Sequence, residues 1–581
     1  MCGIFGIYNF KNDEVSENLI KSHLDTLEHR GPDAYGTFTN ENVGLGHTRL
    51  SIIDLSTNAN QPFITPDKKF ALTYNGEVYN YKELKKELQN IYRYSSNSDT
   101  EVILQGLVSE NERFINKLEG MFAFAFFDVD KNEMLLARDS FGIKPLYYHK
   151  NEDRIIFSSE IKALLVNDNI HAEIDYDALK EVFLLGYSLD PKTCFKNIYR
   201  LKPGHMMRIN QKGVEIEKFW SIDEYIKDNN NDNWKEVFDE SIRSHCISDV
   251  SIGSMLSGGL DSNLILESMS SQGLIEPSFK VYNAGSDSSN GRHTHLERNL
   301  SLRSANYFNV NFVKIDSNNN NRMSFEESVR VTEEPISNTA NFLIDKICKK
   351  ANLLNQKVLL SGHGGDEIFA GYRRHLIAKH LELLRKFGIG KLIMIFNKLY
   401  NNDLFHRVGN AAINNNKFPL FNLLSVGSFF TKEKNSITNW ISDDDIERIS
   451  EKLYSNLNFT DSRSYLKQSL ILDFSTYLPI QNLMMVDKFS MKNSIELRVP
   501  FLYRPLLRIG LNQNDNQLIR RTRTKNMIRE TSRGVLPKFL FNKPKMGFAP
   551  LENELVNSDE VKSILLSKTM DERGIFSSKK I

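Results

Sequence analysis

Cysteine is scarce in this chain. Four residues, Cys2, Cys194, Cys246 and Cys348, are scattered through 581 positions without a CxxC pair. That spacing argues against a disulfide framework and against a structural zinc site. An excess of one charge sign is missing as well: charged residues make up 25% and the net charge is +1. No bias toward a polyanion follows, so no nucleic-acid partner is expected, and the basic run Arg520–Lys525 reads as a solvated face. No apolar run is long enough to span a bilayer and no leader-like segment stands at the front. The expectation is a soluble, cytoplasmic protein with no membrane partner. Internal repeats are lacking, and the length implies roughly two to four domains with ample core material.

What is present begins at Cys2, in Met1-Cys2-Gly3-Ile4-Phe5-Gly6. A small second residue lets the initiator methionine be removed, which would leave Cys2 with a free α-amine beside its thiol. That amine has a reference pKa near 8, so it can serve as base for its own side chain. A lipid anchor would need an apolar run before the cysteine, and only one residue precedes it.

Up to about Asn210 the chain is rich in short strand-like runs: Gly3–Asn9, Phe70–Tyr74, Met121–Phe127, Met134–Arg138, Lys144–Tyr148 and Ile155–Ser158. Helices are expected near Glu17–Glu28 and Tyr81–Leu88. Many strands with few helices predict an antiparallel β-sheet sandwich flanked by helices. The Asp/Asn-rich run at 228–233 suggests a linker, taken as 211–233. From 234 to 581 strand and helix alternate: Ile252–Ser257, a helix from Ser262, Phe279–Asn283, a helix near Leu296–Phe308, Phe312–Ile315 and Lys357–Ser361. That pattern predicts a parallel-sheet α/β domain, with extra irregular helices from His375 to Leu472. The Asn-rich stretches 318–321 and 414–416 read as loops.

Ser257-Gly258-Gly259-Leu260-Asp261-Ser262 lies between a strand and a helix. Glycines there expose backbone N–H groups, and the helix N-terminus adds partial positive charge, which suits an anionic phosphate. The Lys-Ser/Thr ending of the Walker loop is absent, which excludes that nucleotide-binding class. Ser361-Gly362-His363-Gly364-Gly365-Asp366-Glu367 repeats the arrangement. Each turn sets a carboxylate, Asp261 or Asp366, past the C-terminal end of a strand, where open parallel sheets bind ligands. Two carboxylates facing a polyphosphate suggest Mg²⁺. Both also fit as helix N-caps.

The chain resembles the glutamine-hydrolysing asparagine synthetase family over nearly its whole length. The resemblance is carried by Cys2–Gly6, His29-Arg30-Gly31-Pro32-Asp33, Arg49–Asp54, Tyr74–Asn80, Ser98-Asp99-Thr100-Glu101, Arg138–Gly142, the two glycine-rich turns, Arg498–Leu502 and Thr524-Lys525. It implies an N-terminal-nucleophile glutaminase domain followed by an ATP-pyrophosphatase synthetase domain. Cys2 would attack the glutamine carboxamide, with Asn75 and Gly76 as oxyanion hole. Arg49 would bind glutamine's carboxylate, and Glu77 and Asp99 its ammonium. In the second domain Leu256, Ser257, Gly258, Gly259, Asp261, Ser262, Val281, Ser361 and Gly362 would bind ATP. Asp261 and Asp366 would hold Mg²⁺, Lys525 would offset charge on the phosphates, and Glu334 and His363 would border the acceptor. The implied partners are glutamine, ATP and aspartate; a homodimer stays open.

Two positions depart from the family pattern. Members that make asparagine commonly carry Glu or Asp where this chain has His363, and an aspartate where it has Tyr503. An imidazole with reference pKa near 6.5 is not an anion there. Amidation of another carboxylate, such as a uronic acid of a surface polysaccharide, is the second reading; a β-lactam-forming relative is disfavoured by Cys2.

Overall fold

A computed structural model describes residues 2–541, apart from 12, 90–91, 168, 226–232, 286–291, 318–322, 336–340, 401, 414, 426–439 and 456–462; beyond 541 it describes only 563 and 572. The expected asparagine-rich loop 318–321 and most of the Asp/Asn-rich run lie outside the described residues.

The N-terminal half is two antiparallel six-stranded sheets. One runs, in spatial order, Ile198–Arg200, Tyr147–Lys150, Arg154–Ser158, Gly3–Asn9, Val43–Arg49 and Ala34–Asn40. The other runs Gly213–Lys218, His205–Asn210, Glu133–Arg138, Gly120–Asp128, Phe70–Val78 and Phe63–Ile64. Gly3–Asn9 is buried throughout because it is a central strand, paired on both edges and covered on both faces. Between the sheets lies an apolar layer that includes Ile4, Tyr8, Leu45, Ala123, Ala125 and Phe127. Gly213–Lys218, inside the stretch read as a linker, pairs with His205–Asn210 and extends the second sheet.

The helix expected over Glu17–Glu28 stops at Asp25 and is followed by a 3₁₀ turn at Glu28–Arg30. Its start is set by Ser16, whose hydroxyl accepts from the Leu19 amide. The strand expected at Lys144–Tyr148 lies three residues later, at Tyr147–Lys150. A helix at Asp99–Glu110 begins with Ser98 accepting from the Thr100 N–H.

In the C-terminal half a parallel five-stranded sheet runs Asn311–Asp316, Lys280–Gly285, Ile252–Met255, Val358–Leu360 and Glu496–Arg498. Helices Leu260–Ser271 and Asn341–Asn352 follow strands, as parallel crossovers require. A π-helical stretch, Asp473–Leu483, contains Pro479; a missing N–H at that position suits the widened turn. The apolar cores are not private to either half. One runs from Leu72, Val102 and Phe122 to Leu264, Val358 and Phe501. Another joins Phe5 and Tyr147 to Ile344, Met484 and Phe489.

Candidate active sites

The first site forms around Cys2, which caps the start of a central strand and is buried. Burial pushes its thiol pKa up; the Leu50 amide and Arg49 pull the other way. The Cys2 backbone nitrogen donates to Asn75 Oδ1 at 3.0 Å. That bond fixes the orientation of the Asn75 amide, so its Nδ2 is the free end. Nδ2 is buried with no hydrogen-bond partner among the described residues. A buried donor left unpaired is costly unless something else takes it up, and an oxyanion would do so. Gly76 stands beside it because a side chain cannot: a Cβ there would lie 2.2 Å from the Met121 carbonyl.

Arg49, Tyr74, Gly76, Glu77, Asp99 and Thr100 line the same narrow cavity as Cys2. The Asp99 carboxylate accepts from the Tyr74 hydroxyl (2.8 Å) and the Val78 amide (3.0 Å), and burial raises its pKa. The Arg49 fork is turned onto the loop after its strand, donating to the Ser56 carbonyl and Asn60 Oδ1, each at 2.8 Å, and to the Asp54 carbonyl. Glu77 faces the other half of the molecule: its Oε2 accepts from Arg498 Nη2 at 3.1 Å. Burial raises Glu77 well above the usual carboxylate range against the pull of that arginine.

The cavity has a wall that sequence reasoning missed. Glu496, from the edge strand of the C-terminal sheet, lines it. Glu496 accepts from Arg498 Nε at 2.5 Å, and Arg498 Nη1 donates to the carbonyls of His245 and Ile247. Glu496 is held low, at about 2: burial opposes the charge, but Arg498 and neighbouring cations outweigh it. Nothing near Cys2 in the sequence could have pointed to a residue so far along the chain.

The second site sits at the C-terminal ends of the parallel strands. The turn after Ile252–Met255 carries Gly258 at φ +67°, a left-handed backbone that a side chain resists. Ser262 Oγ accepts from the Ser257 amide at 3.3 Å, closing the turn, and Gly259 precedes the helix carrying Asp261. Lys525, itself left-handed at φ 53°, brings its ammonium within 2.6 Å of both Asp261 oxygens and within 2.6 Å of Asp366 Oδ1. Burial works against that ammonium, yet the two carboxylates raise its pKa overall. Close packing enforces the cluster: a Cβ on Gly362 would come 2.9 Å from Asp261 Cβ, and one on Gly371 1.8 Å from Asp366 Oδ1. Leu256 and Val281 are buried under the turn, where the Leu256 amide donates to the Tyr282 carbonyl at 2.9 Å.

Ser361 and His363 hydrogen-bond through Oγ and Nδ1 at 2.6 Å, and burial pushes the imidazole down to about 4, so it is neutral. Glu367 accepts from the Tyr372 hydroxyl at 2.8 Å, and burial, then Asp366, raises it to about 7. Glu334 is engaged elsewhere. It bonds Arg200 Nη1 at 2.8 Å and the Cys194 amide at 2.8 Å, both from the N-terminal half. Tyr503 donates to Glu240 at 3.4 Å.

An antiparallel two-sheet domain built on Cys2, joined to a parallel-sheet domain with two glycine-rich turns, defines a two-domain amidotransferase. A glutamine amidotransferase domain model matches residues 1–220, and an asparagine synthase model matches residues 233–581. The chain belongs to the glutamine-hydrolysing asparagine synthetase family. It is 30% identical to asparagine synthetase [glutamine-hydrolyzing] 1 of Bacillus subtilis, over 98% of this chain and 91% of that one. It is 29% identical to a putative asparagine synthetase [glutamine-hydrolyzing] of Mycobacterium tuberculosis over 92% of this chain and 84% of that one. Amidase chry2 of Gibberella zeae is 30% identical over 63% of this chain and 57% of that one. The protein is therefore an enzyme, a glutamine-dependent ligase-type amidotransferase of a family that uses ATP.

Proposed function

We propose that this enzyme releases ammonia from glutamine at Cys2 and uses it to amidate a carboxylate activated as an acyl-adenylate, with aspartate as the first-ranked acceptor. The observation that carries the glutaminase half is the Asn75 amide, oriented by Cys2 with a buried, unpartnered Nδ2. Once Met1 is removed, the Cys2 amine takes the thiol proton. The thiolate then adds to the carboxamide carbon while Asn75 Nδ2 and the Gly76 N–H donate to the oxyanion. The α-ammonium returns its proton to the departing nitrogen, ammonia leaves, and water hydrolyses the γ-glutamyl thioester to free glutamate and Cys2. A glutamine carboxylate would draw the Arg49 fork from its loop carbonyls, and Asp99 would face the ammonium.

In the second half Asp261 and Asp366 fit Mg²⁺ by donor chemistry: two carboxylates from separate turns converge on one cation, the Lys525 ammonium. A bound metal would supply charge neutralisation for the triphosphate. The Lys525 ammonium would neutralise charge developing at the α-phosphate, and the turn N–H groups would hold the departing pyrophosphate.

A screen of carboxylates for glutamine- and ATP-dependent release of pyrophosphate and AMP tests the assignment. Cys2→Ala is expected to abolish synthesis from glutamine and leave synthesis from added ammonia largely intact. ADP and phosphate as primary products would overturn it. Chelation by EDTA is expected to stop synthesis and spare glutamine hydrolysis.

The neutral His363 favours a second reading, in which the acceptor is a less cationic carboxylate such as a uronic acid. A charge-assisted hydrogen bond is worth about 1.5–3 kcal/mol, roughly ten- to a hundredfold in affinity. On that reading aspartate is a weak substrate and His363→Glu improves its kcat/KM. Efficient wild-type turnover of aspartate that the substitution leaves unchanged returns the assignment to asparagine synthesis.

A further inference from the structure

Helix Ile389–Tyr400 is apolar on its exposed face as well as on its packed one. Its inward face carries the buried Gly390 and Asn397 with the half-buried Ile393 and Met394, which pack against Gly409 of the next helix. A Cβ on Gly390 would lie 2.6 Å from the Ala412 backbone, so the helix packs tightly there. Asn397 Oδ1 accepts from the Asn402 amide at 3.0 Å, and its Nδ2 approaches His406 at 3.3 Å. Its outward face is large and apolar. Leu392, Ile395, Leu399 and Tyr400 are 53%, 57%, 73% and 70% exposed, and Phe396 is exposed beside them. Those positions recur at helical spacing on one stripe. Phe387 before the helix and Leu404 and Phe405 after it are exposed as well. Scattered apolar residues on a surface need no explanation, but a stripe this size marks a contact surface.

Charge identifies the contact. From 383 to 402 the sequence contains Arg385, Lys386, Lys391 and Lys398 and no Asp or Glu, in a chain whose net charge is +1. Lys386, Lys391 and Lys398 are exposed. Arg385 is committed to the carbonyls of Ala411 and Asn416, so the three lysines form the outward charge. Symmetric pairing of two copies through this stripe would set those lysines near their own counterparts, a repulsive arrangement. A surface that is apolar below and anionic above meets both halves of the pattern, and that is the headgroup region of an acidic bilayer. No described helix is long and apolar enough to cross a membrane, so the helix would lie in the interface plane.

We propose that helix Ile389–Tyr400 docks the enzyme on anionic lipid membranes, with Leu392, Ile395, Phe396 and Leu399 in the acyl boundary and Lys386, Lys391 and Lys398 at the headgroups. The test is co-sedimentation of the full chain with vesicles of phosphatidylcholine alone or mixed with phosphatidylglycerol. Binding is expected only with phosphatidylglycerol, and is expected to weaken as salt is raised. Phe396→Glu with Leu399→Glu is expected to reduce it by at least about tenfold, as is Lys391→Glu with Lys398→Glu. Both double variants are expected to keep wild-type glutamine hydrolysis, which certifies their folding. No binding to phosphatidylglycerol vesicles overturns the proposal, as does binding that these variants leave intact. Light scattering read in parallel separates the rival: a dimer that Phe396→Glu with Leu399→Glu converts to monomer, without lipid binding, assigns the stripe to a second copy.

Discussion

At the scale of single residues, Asn75 carries the clearest expectation. Its Oδ1 is taken by the Cys2 nitrogen and its Nδ2 has no partner among the described residues. Removing one oxyanion-hole donor elsewhere costs about a hundred- to a thousandfold in kcat. Asn75→Ala is expected to lose that much glutaminase turnover with little change in KM for glutamine, and to leave ammonia-dependent synthesis untouched. A change confined to KM would assign the amide to ground-state binding instead. His245 supports a second expectation. It is buried against the Tyr79 ring, its Nδ1 lies 2.8 Å from the Ser241 carbonyl, and its Nε2 has no partner among the described residues. Burial pushes its pKa down to about 3, from a free value near 6.5. Between those values the unfolded chain binds a proton that the folded chain refuses. The stabilising effect of a neutral His245 is therefore complete above about pH 6.5 and is lost as pH falls toward 3. His245→Gln is expected to flatten the acid limb of the stability curve, measured by urea unfolding at pH 7 and pH 5. An unchanged limb would mean the imidazole charges freely in the fold.

At the scale of elements, the glycine at 371 holds two loops together. A methyl group there would collide with both Asp366 Oδ1 and, at 2.4 Å, Lys525 Cε. Gly371→Ala is expected to abolish synthesis from ammonia while glutamine hydrolysis continues, because the clash is confined to the second site. Equal loss of both activities would point to global misfolding. The same scale shows what was legible in the sequence. Strand Gly3–Asn9 announced itself through a dense apolar run and the glycine-rich turns through composition, whereas Phe70–Tyr74 was read only in part: Asn75-Gly76, which looks like a turn, lies inside a strand that continues to Val78. Helix Asp99–Glu110 gave only its motif, because it is buried on nearly every side and so lacks a polar stripe. Strand Glu496–Arg498 was invisible: three residues carry no periodicity, and two of them are charged. Arg49, Asn75, Gly76 and Asp99 were legible as a group because their motifs are local, and the fold gathers them around Cys2. The turning of Glu77 and Glu334 toward partners in the opposite half depends on contacts 421 and 134 residues apart, which no local pattern encodes.

At the scale of the molecule, buried ion pairs join the halves. Arg30 donates to Cys2's carbonyl, Glu160 and, from the other half, Asp487 at 2.8 Å. Lys488 and Glu333 pair within the C-terminal half and reach across to the N-terminal one, Lys488 to the Tyr147 ring and Glu333 to the amides of Ile161 and Lys162. Arg200 pairs with Glu334 between the halves. Breaking a buried pair from one side strands the other charge, at about 3–5 kcal/mol. Arg30→Met is expected to destabilise by that order, and wild type is expected to unfold in a single transition in urea with fluorescence and circular dichroism coincident. Two separated transitions would show that the halves are independent units despite the shared cores.

Arg498 gives this union a consequence for recombination. Its carbonyl accepts from the Ser361 amide at 2.9 Å, while its side chain reaches Glu77 and its neighbour Glu496 walls the Cys2 cavity. The Cys2 pocket is thus completed by a strand encoded near the far end of the gene. A chimera that grafts a foreign glutaminase onto this synthetase inherits that wall along with its charge. A gene split at the sequence boundary produces an N-terminal product whose pocket is open on one side. Modularity visible in the family matches stops at the level of the chain; at the level of the pocket, the unit of inheritance is both halves together.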